Sequence, residues 1–342
     1  IHDEWRYAIN YQLMQDLSKE TITFRNTRAM KALPMRKLGS FLLGDGLGGA
    51  AIHWNGLVYR FTPYDFEIKT KTLERYGKYQ VTDDYTIQDW GLTYDELEPY
   101  FTKFDRTFGI SGESISPFDP KRSEPYPMPP LTKTPAMKLF EEGARKAGCH
   151  PYVSPAGIAS VPYTSPDGTS LNPCEYCGYC ERFACEYDAK SSPNNMYIPV
   201  AERTGRFEAR CNSNVVEILK KGKKVTGVKY INTLTLEEFI QPADIVVLGS
   251  YVMNNNKLLM VSKIGEQYDP ATGKGTLGRN YCYQITPGVT GFFEEKYNLY
   301  AGAGALGMCL DDFNSDNFDH SGLGFIHGGL ISSLQTGKRP IE

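Results

Sequence analysis

Apolar side chains at the start of the chain recur at a helical interval. Trp5, Ile9, Leu13 and Leu17 fall four apart, which predicts that residues 1–33 begin as helix, with Thr21–Phe24 a short strand. Glycine interrupts the pattern over residues 38–60, LGSFLLGDGLGGAAIHWNGLVYRF at its centre. Thr93 with Glu96 forms a capping-box pattern that opens a helix running through Phe104, with Pro99 early in it. The Pro- and Ser-rich residues 112–134 predict loop, and Pro135–Ala147 an amphipathic helix ended by Gly148. A second Pro/Ser/Gly-rich stretch covers 154–173. From Arg206 the period shortens towards two. Val215–Leu219, Val225–Ile231 and Leu236–Ile240 predict a three-stranded meander. The unbroken apolar run Ile245–Leu248 predicts a fully buried parallel strand, followed by a helix from about Met253 to Ser262. Beyond Gly275, glycine and aromatic residues predict antiparallel strands.

Composition sharpens this only modestly. A chain of 342 residues has room for a large core, most simply in two domains. With 41% apolar and 23% charged residues it has the make-up of a soluble globular protein. A net charge of −3 offers no pull towards nucleic acid or anionic lipid. No apolar stretch approaches the roughly 20 residues that span a bilayer. The first residues, IHDEWRYAINYQL, carry no secretory hydrophobic run, so export or membrane attachment is expected to come from another segment or a partner.

Sulfur changes the picture most. The run NPCEYCGYCERFACEYDAK, residues 172–190, holds Cys174, Cys177, Cys180 and Cys185. Thiolates at such gaps can turn towards one point, where soft ligands hold an iron–sulfur cluster or zinc. Structural zinc sites usually join two knuckles a dozen or more residues apart, so the compact run favours iron–sulfur. The remaining Cys149, Cys211, Cys282 and Cys309 are scattered and are expected to be buried free thiols.

Gly44, Gly46 and Gly49 satisfy G-x-G-x-x-G, and Asp65 lies about where a ribose-binding acid belongs. Asn55-Gly56 breaks the chain too soon for the long helix that a nicotinamide site needs, leaving a tight loop as the minimum reading. A further reading keeps the glycines functional, because bare backbone lets a flat cofactor or its pyrophosphate approach. His53 follows the glycines directly, and an imidazole nitrogen can bond covalently to a cofactor. His320 and His327 are weaker catalytic candidates, and Asp311–Asp316 is only a faint calcium-loop pattern without its glycine and terminal glutamate.

Several blocks together resemble one family. LGSFLLGDGLGGAAIHWNGLVYRF, TIQDWGLTYDELEPYF, NPCEYCGYCERFACEYDAKSSP, ADIVVLGSYVMNNNKLLMVSKIG, TLGRNYCYQITPGV and DDFNSDNFDHSGLGFI occur in order from about residue 36 to 328. They resemble the large flavoprotein subunits of gluconate 2-dehydrogenase-type enzymes, within the glucose–methanol–choline oxidoreductase superfamily. The resemblance implies an α/β plus α+β fold, a Rossmann-like FAD-binding domain interleaved with an antiparallel-sheet substrate domain. It assigns residues 1–60 and 206–280 to the former, and 61–205 and 281–342 to the latter.

Carried over, Gly46, Gly48, Gly49, Ala50 and Asn55 would line the flavin, and His53 matches the position where some relatives bond covalently to it. Val215 and Val216 would meet the adenine, with Ser250 and Asn255 near the cofactor. Cys174, Cys177, Cys180 and Cys185 would hold a three-iron four-sulfur cluster, by three or four thiols. In that family electrons pass from flavin through the cluster to a membrane cytochrome c subunit and quinone. The family works on the periplasmic face of the inner membrane, with a small partner subunit directing export. The substrate would be a sugar, sugar acid or polyol.

The family's opening nucleotide-binding strand and turn have no counterpart here, nor does its C-terminal His-containing catalytic stretch, so a fragment of a longer fold is expected, inactive by itself. The catalytic base is therefore unassigned. A non-catalytic electron-transfer or assembly module, and a zinc-bound structural loop, are the competing readings.

Overall fold

The computed structural model describes residues 23–24, 30–31, 33–34, 44, 46–78, 86–180, 183–282, 286–297 and 302–334. The helical pattern of residues 1–17 lies outside them. By internal contacts the chain divides into two compact units.

The first unit takes in the described residues of Gly44–Phe207 and those from Phe293 onward. Two helices follow the glycine loop, α1 (Pro63–Phe66) and α2 (Ile68–Tyr76), neither foreseen from the pattern. Helix α3 (Tyr94–Phe108) begins where Thr93 and Glu96 exchange capping bonds. It runs four residues past the expected end and stops at Gly109, whose φ of 73° no β-carbon favours. Helix α4 (Pro135–Lys146) starts at Pro135, as the pattern predicts, with Thr134 as its cap. Residues 112–134 are irregular apart from a bridge between Met128 and Ser111.

Strand β1 (Tyr152–Val153) pairs antiparallel with β2 (Gly307–Leu310), which also pairs with β3 (Ile331–Leu334). The core behind this sheet gathers Met137, Val153, Ile158, Leu306 and Met308, and Cys180 belongs to it. A second cluster, Phe108, Ile110, Met128 and Met196, takes Trp54 and Val58 against its side.

A buried charge network fastens the chain after the glycine loop to α3. Arg60, its side chain 4% exposed, donates to Asp105 at 2.6 Å, Glu98 at 3.1 Å and the Thr102 hydroxyl at 3.1 Å. Arg122 reaches the same Asp105 at 2.8 Å.

The second unit takes in the described residues of 16–43 and Glu208–Phe292. The meander forms as predicted: β4 (Ser213–Lys221), β5 (Lys224–Asn232) and β6 (Glu238–Pro242), all antiparallel. Helix α5 (Val252–Val261) lies against β4, where Ser262 Oγ accepts from the Ile218 N–H at 2.8 Å. Thr23–Phe24 is a strand, paired antiparallel with Leu33–Pro34.

One expectation fails. Ile245–Leu248 is not a strand, and Ile245 and Val247 are 81% and 85% exposed. A parallel strand needs neighbours at its edges and cover on both faces. No described strand pairs with this run, so its apolar composition alone does not order it. All pairings between strands among the described residues are antiparallel, and the expected Rossmann-like parallel sheet has no counterpart there. Beyond Gly275 the expected antiparallel strands form at Gly307–Leu310 and Ile331–Leu334, whereas residues 275–282 and 286–297 are irregular. By contact clustering the glycine loop falls in the unit of Gly44–Phe207.

Candidate functional site

The Gly49 N–H donates to the Gly46 carbonyl at 2.9 Å, closing a tight turn. Gly48 takes φ +92° there, and a β-carbon on it would come within 2.0 Å of Asn194 Oδ1. Both the left-handed backbone and the close approach require glycine. A single 3-10 turn, Gly49–Ile52, follows instead of a long helix, and it carries Ala50. Asp65 accepts from the Thr62 N–H at 2.6 Å and hydroxyl at 2.9 Å as the cap of α1. It is thus engaged locally, which argues further against a nicotinamide site.

His53 closes the 3-10 turn and is 5% exposed. Its Nε2 is buried without a hydrogen-bond partner. Burial lowers its pKa, and the nearby Lys190 charge adds to the effect. The ring is therefore held neutral, with one nitrogen uncommitted. That orphaned nitrogen fits a cofactor atom brought against the loop, because an unsatisfied buried polar group calls for an explanation. Asn55 Oδ1 accepts from the Leu57 N–H at 3.3 Å, and Trp54 Nε1 donates to the Ser191 carbonyl at 3.0 Å.

The cysteine segment wraps against the chain before β2. Gly178 N–H donates to the Gly302 carbonyl at 2.8 Å, and Gly302 N–H to the Tyr176 carbonyl at 2.9 Å. Cys174 Sγ accepts from the Tyr176 N–H at 3.4 Å. Cys180 is 6% exposed, and the nearby Gly304 backbone N–H favours the charged form of its sulfur. A β-carbon on Gly304 would lie 2.6 Å from Cys180 Cβ, 3.0 Å from the Asn55 carbonyl oxygen and 3.2 Å from Asn55 Cβ. Asn55 and Cys180 therefore flank one glycine, and the glycine loop meets the cysteine loop there.

Burial pushes the Cys174 thiol up to about 12, and the charges of Cys180, Cys177 and Cys185 add to the effect. The Cys180 thiol is also raised, chiefly by burial. Charge on the neighbouring sulfurs thus weighs on Cys174 and Cys180, a cost that a bound cation removes. Among the described residues no three Cys, His, Asp or Glu side chains already converge as a metal site. The donor set suits a thiophilic centre, with convergence required on loading.

Lys190 was not singled out in the sequence. Its ammonium is buried between the loops, donating to the carbonyls of Trp54 at 2.5 Å and of Cys180 and Phe183 at 2.8 Å each.

The other expected cofactor residues belong to the second unit. Val215 pairs with Tyr230, and the register slips at Val216, a bulge in β4. Asn255 Oδ1 accepts from the Ser250 N–H at 3.0 Å and hydroxyl at 2.7 Å, so these two residues shape the start of α5. Of the scattered cysteines all are free, but only Cys309 is buried; Cys211 and Cys282 are exposed, having no core beside them. His320 is buried beside Tyr76, Phe318 and Phe325, and His327 Nδ1 lies 2.5 Å from the Gly328 carbonyl. In the faint calcium-like run, Asp311 accepts from Tyr152 and Asp312 bonds His150.

Residues 130–286 match the family model for GMC oxidoreductase. By that match, residues 130–286 are similar to a GMC oxidoreductase domain. That match spans the cysteine segment, the meander and α5, while the glycine loop precedes it. Over 99% of its length the chain is 37% identical to the gluconate 2-dehydrogenase flavoprotein of Pantoea cypripedii, of which it covers 58%. It is 27% identical over 71% of its length to 2-methyl-1,2-propanediol dehydrogenase of Mycolicibacterium austroafricanum, covering 41% of that protein. It is 24% identical over 80% of its length to the fructose dehydrogenase large subunit of Gluconobacter japonicus, covering 47% of it. The chain thus spans about half the length of these relatives.

Proposed function

We propose that this chain is part of a GMC-type, FAD-dependent dehydrogenase that oxidises a CH–OH group of a sugar, sugar acid or polyol, gluconate foremost. The observation that carries the reading is the shared glycine: Asn55 of the glycine loop and Cys180 of the cysteine loop both press on Gly304. A flavin lying on the first loop would be within short electron-transfer reach of a centre held by the second. The similarity to dehydrogenases of gluconate, fructose and a diol supports the reaction class.

When bound, FAD would accept the carbinol hydride and an iron–sulfur centre would take electrons singly. The chain's own residues prepare for this. Gly48 and Gly49 keep the turn free of side chains, and His53 presents a neutral, buried Nε2 for a hydrogen bond or covalent link to the flavin. Cys174, Cys177, Cys180 and Cys185 supply thiolates, and the Gly304 N–H stabilises charge on Cys180. A cytochrome c subunit and quinone downstream, a small export subunit and a periplasmic membrane-face location complete the proposal. No helix among the described residues is long and apolar enough to cross a membrane.

Anaerobic reconstitution of the full-length protein with iron, sulfide and FAD tests it. Flavin absorbance that bleaches on adding gluconate or a polyol, with iron bound, is expected. Cluster signals without a flavin response favour an electron-transfer or assembly module. Zinc in place of iron would remove the electron route.

A further inference from the structure

A lysine ammonium has three donors on a flexible stem, and it is strongly hydrated in water. Lys190 is only 3% exposed, so that hydration is gone. Main-chain carbonyls replace it: Trp54 on one side, Cys180 and Phe183 on the other. Neutral carbonyls alone do not hold a buried cation cheaply. Cys180, Cys185 and Cys177 would favour the Lys190 charge once they are thiolates. In the other direction its charge is felt at His53. The neighbouring contacts share this orientation. Trp54 Nε1 bonds the carbonyl of Ser191, one residue beyond Lys190, and Ser191 N–H bonds the Gly157 carbonyl at 2.9 Å.

We infer that Lys190 is a positioning residue for electron exit. Its ammonium pins the glycine loop to the cysteine loop, setting the separation of His53 from the thiols and placing one positive charge beside the centre those thiols hold. The charge part rests on the proposed cluster, whereas the clamp stands on the protein alone. A fixed cation close to a cluster favours its more negative, reduced state, because net charge and hydrogen bonding set cluster potentials. Replacing the cation should therefore make reduction harder.

Two measurements test this with Lys190→Arg, Lys190→Gln and Lys190→Met. The first is amide hydrogen exchange on the metal-free chain. In Lys190→Met, peptides covering Trp54 and Cys180 should both exchange about tenfold faster or more, with α3 and α4 unchanged. Lys190→Arg should restore protection in both. Loosening of one loop only, of neither, or of α3 and α4 as well would overturn the clamp. The second is a redox titration of chain reconstituted with iron and sulfide. At a fixed potential, Lys190→Gln should raise the oxidised-to-reduced ratio about tenfold, and Lys190→Arg should leave it near wild type. An unchanged ratio in folded Lys190→Gln would overturn the charge role. Failure of the wild-type chain to take up iron would sink the cluster reading and the charge role together, and the exchange result then decides the clamp separately.

Discussion

At Gly304 the space for a side chain is already taken. An added β-carbon would stand 2.6 Å from Cys180 Cβ and 3.0 Å from the Asn55 carbonyl, and neither backbone can yield without moving its loop. Gly304→Ala should cost about 1–3 kcal/mol, the usual penalty for overpacking a tight interior. Urea denaturation would show the loss, together with reduced iron uptake. Asp119 offers a test by pH. Burial, reinforced by Asp311 and Glu113, raises its carboxyl to about 6 against the pull of Arg122. A raised carboxyl pKa means the folded state binds the proton more tightly than the unfolded one. The resulting stability is complete below the ordinary value near 3.8 and is lost as pH rises through about 6. Asp119→Asn should therefore be nearly neutral at pH 3.5. At pH 8 it should stabilise by about 1 kcal/mol, a figure discounted for partial exposure. Denaturation midpoints at the two pH values check the sign.

Among the elements, α3 depends most on a charge outside itself. Glu98 and Asp105 lie one helical side apart and share Arg60, which arrives from the chain just after the glycine loop. Removing that guanidinium leaves two carboxylates in the interior with Arg122 as the remaining nearby cation on Asp105. Arg60→Ala should cost about 3–5 kcal/mol, as breaking a buried pair does. A large fall in thermal midpoint, only partly recovered in Arg60→Lys, is the expected outcome. The elements themselves were legible where local physics is strong. The Thr93–Glu96 box predicted the start of α3, and the amphipathic pattern from Pro135 that of α4. The alternation after Arg206 predicted the meander, because hairpin strands find their partners within a few residues. The run Ile245–Leu248 shows the opposite case. Its apolar content matches a buried parallel strand, but only neighbours distant in sequence can order one.

For the molecule as a whole, the electron route is the property to test. In the full-length protein, Cys180→Ser should leave flavin reduction by substrate within about twofold while cutting transfer to a quinone or cytochrome by about 100-fold or more. Stopped-flow absorbance and acceptor assays read the two steps separately, and equal loss in both would count against a relay. The cysteine run, the glycine turn and His53 stand out along the chain as candidates, because spacing and residue type mark such positions locally. Lys190 and Gly304 could not. A lysine in DAKSSP looks like any solvated cation, and a glycine in AGAG like any loop residue. Their roles come from contacts spanning more than a hundred residues, with Trp54 for Lys190 and with Asn55 and Cys180 for Gly304. Such contacts exist only once the core has brought the two loops together, since burial and packing are set by the folded neighbourhood and not by sequence distance.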